Sequence, residues 1–82
     1  MKTVKELLEM RAESRELLVN MTTPYTNVGK IIRQIILNKN PGFCSFYVCN
    51  YRELSQKEPD LCQLLDTYIF LGETILHRLE ET

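Results

Sequence analysis

Apolar side chains recur along this chain mostly at the spacing of a helix. Val4, Leu7, Leu8, Leu18 and Met21 fall near the 3.6-residue period. Just ahead of them, Thr3-Val4-Lys5-Glu6 matches the capping box, in which the Thr hydroxyl and the Glu carboxylate each satisfy an amide left open at a helix start. The pattern predicts a first helix over residues 4–20. Its centre, from Glu9 to Glu16, is densely charged, and the apolar stripe breaks at Arg11 and Arg15. That turn is expected to reach solvent or a partner.

Thr22-Thr23-Pro24 punctuates the chain. Thr23 can cap a second helix with Pro24 at its first position, and a later start at Asn27 fits equally well. Over residues 25–38, Val28, Ile31, Ile32 and Ile35 form one stripe with Ile36 beside it. Lys30, Arg33, Gln34 and Asn38 fall opposite, so this helix is amphipathic with a basic outer face. Gly29 inside it costs about 1 kcal/mol relative to Ala, which suggests a close helix contact there. Asn38-Lys39-Asn40-Pro41-Gly42 then ends the element.

Phe43 to Tyr51 supports two readings. Its β propensity is strong, but as a strand it is apolar on both faces. As a helix it sets Phe43, Phe46, Tyr47, Tyr51 and Leu54 at helical spacing, with Asn40 as N-cap and Pro41 at the first position. No other segment reads as a strand, and a lone strand leaves its amides unpaired. A helix over 42–53 is therefore favoured. The alternative is a strand at 43–50 that pairs across an oligomer.

Ser55-Gln56-Lys57-Glu58 reads as a second capping box, with Pro59 in the first turn of a helix over 56–80. Leu61, Leu64, Leu65, Tyr68, Gly72, Ile75, Leu76 and Leu79 trace its stripe. Cys62, Ile69, Phe70 and Leu71 widen it until the helix is apolar nearly all round. Such a helix is buried on more than one side, either at the centre of the fold or against a second copy. The fold expected is all-α, a compact array or bundle of about four helices forming one domain over residues 1–82.

Composition bears mainly on partners. A chain of 82 residues builds a thin core, and one that is 44% hydrophobic is expected to share apolar surface with another protein or with itself as a homo-oligomer. Net charge is −1, which gives no global pull toward nucleic acid or an anionic membrane. The charge is nevertheless uneven. Leu17 to Tyr51 contains Lys30, Arg33 and Lys39 and no acid, whereas acids dominate from Glu53 onward. No signal-type apolar run follows Met1-Lys2, and Leu61 to Leu76 is too interrupted to span a membrane. Three cysteines, an odd number, do not suggest a disulfide framework, so a cytoplasmic location is expected.

Candidate chemistry is sparse. Cys44, Cys49, Cys62 and His77 match the ligand count of a zinc site, but Cys44 and Cys49 lie about 140° apart on a helix and make no chelating pair. No metal or cofactor is expected. Glu9 and Glu13 share a helix face with nothing to confine them in a cleft, so no enzyme is expected either. Lys30, Arg33 and Lys39 form the candidate anion-binding set. Arg11, Arg15, Phe43, Phe46, Tyr47 and Tyr51 form the candidate partner-binding set. The function expected is a non-enzymatic protein-binding module, a small inhibitor or adaptor of the sort viruses, phages and bacteria encode. The alternative is an oligomer that binds a nucleotide or nucleic acid through the basic face of the second helix.

Overall fold

The computed structural model describes residues 2–37 and 45–81, excluding the side chains of Ser45 and Phe46. The fold is all-α: α1 (Val4–Asn20), α2 (Asn27–Leu37), α3 (Ser45–Lys57) and α4 (Pro59–Glu80) follow one another. The strand alternative fails where it can be checked, because residues 45–50 are helical within α3. The expected start of that helix near 42, with Asn40 and Pro41 at its head, lies outside the described residues. No helix among the described residues is long and apolar enough to cross a membrane.

α1 starts as its sequence predicts. Glu6 donates its amide to Thr3 Oγ1 at 3.2 Å, and Thr3 donates its amide to Glu6 Oε1 at 3.3 Å. At the other end, Thr22 donates its hydroxyl to the Leu18 carbonyl at 2.7 Å. α2 takes the later of its two expected starts. Thr26 Oγ1 accepts from the Gly29 amide at 3.0 Å, so Thr26 rather than Thr23 is the cap. The reason lies in Gly29. A Cβ there would sit 1.6 Å from the Thr23 carbonyl oxygen. The close contact at Gly29 is thus made by the turn folding over the first turn of α2, and not by another helix as the sequence suggests.

The second predicted capping box does not form. α3 runs on to Lys57, and Ser55 donates its hydroxyl to the Arg52 carbonyl inside that helix at 2.9 Å. α4 begins at Pro59 after Glu58, whose side chain makes no cap hydrogen bond. Proline disfavours helical backbone at the residue before it, so the break falls on Glu58. Burial of Leu54 keeps the preceding turn helical.

Each helix packs on its sequence neighbours, and α1 closes the ring against α4. The main core draws Leu18 from α1, Ile32 and Ile35 from α2, Tyr47 and Leu54 from α3, and Leu61, Cys62, Leu65, Tyr68 and Ile69 from α4. α4 is the longest helix, at 22 residues. It continues beyond this core and meets the start of α1 in a smaller cluster of Leu7, Leu71 and Ile75, with Val4 and Met10 beside it. α1 and α4 therefore run antiparallel. Arg78 donates to the Lys2 carbonyl at 2.9 Å across that end. α4 packs against both α1 and α3, as each helix of the ring packs against two others.

Candidate functional site

The site follows from two helical spacings. On α3, Tyr47, Val48 and Tyr51 stand at i, i+1 and i+4. On α4, Asp66, Ile69, Phe70 and Glu73 stand at i, i+3, i+4 and i+7. Packing the two helices sets these rows on either side of a groove of about 480 Å³, within the range of ordinary ligand clefts. Tyr47 and Ile69 are buried beneath it. Val48, Tyr51 and Phe70 remain 55%, 42% and 67% exposed, so the walls are apolar and open to solvent.

One polar cluster is built into this groove. Tyr47 and Tyr51 both donate their hydroxyls to Asp66, Tyr47 to Oδ1 and Tyr51 to Oδ2 at 3.4 Å. The two rings meet edge to face with centroids 5.5 Å apart, a favourable aromatic geometry. Burial pushes the Asp66 carboxyl above its ordinary range. Glu73 makes no ion pair with any described residue, where the exposed pairs are Lys57 with Glu53 and His77 with Glu81.

The predicted partner-binding residues are divided between two faces. Tyr47 and Tyr51 reach the groove. Arg11 lies on the opposite side of α4, its guanidinium 4.3 Å from the centroid of the buried Tyr68 ring. The Arg11 Nε is buried and has no hydrogen-bond partner among the described residues. The gap in the α1 stripe is thus filled from within, by a cation laid on an aromatic face. Arg15 is exposed beside it, along a shallow depression with Leu8 and Ala12. Phe43 lies outside the described residues, and of Phe46 only the helical backbone is described.

The predicted anion set is also divided. Arg33 donates to the carbonyls of Val19, Thr22 and Gly29 and to the Thr22 hydroxyl, at 3.0 to 3.4 Å. Its planar fork of donors therefore caps the C-terminal end of α1. Lys30 is exposed, and Lys39 lies outside the described residues. Of the candidate metal ligands, Cys62 is buried, with its thiol pushed up in pKa by that burial. Cys49 and His77 are exposed, and Cys44 lies outside the described residues.

The α4 wall is the part that sequence reasoning missed. Phe70 widens the apolar face of that helix, which reads as packing, and nothing in the order of residues pairs Asp66 with two tyrosines on another helix. A signal existed in the i, i+4, i+7 placement of Asp66, Phe70 and Glu73, which gives one helix face an exposed ring between two acids. No protein-family model, curated protein or solved structure matches this chain.

Proposed function

We propose that this chain is a non-enzymatic protein-binding module, a small inhibitor or adaptor, whose contact surface is the groove between α3 and α4. The observation that carries the reading is the exposure of Val48, Tyr51 and Phe70 around one cleft. Interfaces concentrate aromatic side chains at their centres, and an apolar groove between helices is a common seat for a peptide or helix. Asp66 favours binding over catalysis, because both of its oxygens already accept tyrosine hydroxyls. A cytoplasmic setting fits the free thiols of Cys49 and Cys62.

A randomised peptide library selected on the native protein tests this reading, with the double variant V48S/F70S as counter-selection. Both positions are exposed, so the variant is expected to keep the native helical spectrum and urea midpoint. Peptides that bind the native protein and not the variant are the expected result. If no peptide distinguishes the two proteins, the groove is not the contact surface.

A further inference from the structure

Resting on that reading, we infer that the groove's occupant is a segment of another protein that presents an arginine or lysine between apolar side chains. The groove is lined by two carboxylates, Asp66 and Glu73, and by no cation among the described residues. These acids stand seven residues apart on α4, about 10 Å along the helix, and Phe70 lies one turn from each. The floor and walls are otherwise apolar. A ligand that matches such a surface carries positive charge on an apolar stem, as arginine and lysine do.

The aromatic rings sharpen the match. Phe70 and Tyr51 are the exposed rings of the groove, and cations are attracted to aromatic faces within about 6 Å of the ring centre. Asp66 is held in place by its two tyrosine hydroxyls, so it meets an incoming cation without first being ordered. Glu73 is without an ion pair among the described residues and can take the same charge from the other end. An acidic peptide, a nucleic acid or an anionic membrane would bring like charge to these carboxylates. Apolar flanks on the partner would cover Val48 and the exposed edge of Phe70.

The test reads the sequences enriched on the native protein and not on V48S/F70S. They are expected to share an arginine or lysine bracketed by apolar residues. In the best synthetic peptide, exchanging that cation for glutamine should weaken binding roughly tenfold. Glu73→Gln should weaken the parent peptide roughly two- to fivefold and leave the glutamine peptide unaffected. Selection on Glu73→Lys should no longer enrich the cation.

Enriched peptides without a cation would overturn this inference and leave the binding module standing. Failure to enrich any peptide would overturn both. Light scattering across a concentration series supplies the remaining outcome. A dimer that Phe70→Ser dissolves would put a second copy in the groove and overturn the peptide occupant. If V48S/F70S failed to fold, Val48→Ser alone would serve as the counter-selection.

Discussion

The two ends of the molecule are built differently. At one end, all four helices converge, and Leu18, Ile32, Ile35, Leu54 and Leu65 are almost completely sealed from solvent. At the other, α1 and α4 alone make a two-helix stem around Leu7, Leu71 and Ile75. In the first, a side chain is enclosed from several directions. In the second, one apolar stripe faces another, and the flanks stay open. Leu8, Leu76 and Leu79, on the stem portions of α1 and α4, are 50%, 41% and 54% exposed. The stem therefore relies more on its end contacts, the capping box at Thr3 and the Arg78 bond to the Lys2 carbonyl. Local opening is expected to start there, because few buried contacts oppose it.

Core truncations give the largest test of this difference. Leu65→Ala should cost about 3 to 5 kcal/mol in urea unfolding, and Ile75→Ala nearer 2 kcal/mol, since the open stem can collapse around the missing atoms. Equal losses would break the comparison. Gly29→Ala comes next, at about 2 kcal/mol, because the new methyl must push the Thr23 carbonyl away from the helix. A stabilised variant would mean that the turn does not sit as described.

Thr3→Ala should cost about 1 kcal/mol. Its diagnostic readout is amide exchange, faster in the first turn of α1 and unchanged around Leu54 and Leu65. Uniform loss of protection would show one cooperative unit and no separate stem.

The smallest effect concerns Asp66, in the α3/α4 groove. Its carboxyl keeps its proton to higher pH in the folded protein than its ordinary value allows. The folded state is therefore favoured at low pH, and that advantage is lost as pH rises through the folded value. Asp66→Asn removes this dependence. The stability of the native protein minus that of the variant should fall between about pH 3 and pH 6. A difference that rises over that interval would show that the tyrosine hydroxyls, which favour the charged form, outweigh burial.

The helices themselves were legible in the sequence because each carries its own period. Val28, Ile32 and Ile35 announce α2, and Thr3 and Glu6 announce the head of α1. The boundary between α3 and α4 differs from the sequence expectation because two rules compete there. Ser55 and Glu58 have the capping-box spacing, but Pro59 dictates the backbone of Glu58, and a buried Leu54 holds the turn before it. Half of the groove was visible, through Tyr47 and Tyr51. The other half has its local sign in the shared face of Asp66, Phe70 and Glu73, but that this face meets α3 is a tertiary fact. Arg11 and Arg33 teach the same lesson from the opposite side. Both read as charges offered to a partner, yet one lies on Tyr68 and the other caps α1. Lone cations beside an apolar stripe do not reveal which carbonyl or ring they will find.

The corner between α1 and α2 sets an unusually narrow requirement on its residues. Thr22 returns a hydroxyl to α1, Thr26 caps α2, Gly29 admits the Thr23 carbonyl, and Arg33 ties the ends together. Each position meets a different physical demand, and all four demands fall on one turn. The resulting spacing, T-x-x-x-T-x-x-G-x-x-x-R, packs a hydroxyl cap, a helix start, a backbone crossing and a guanidinium tie into twelve consecutive residues.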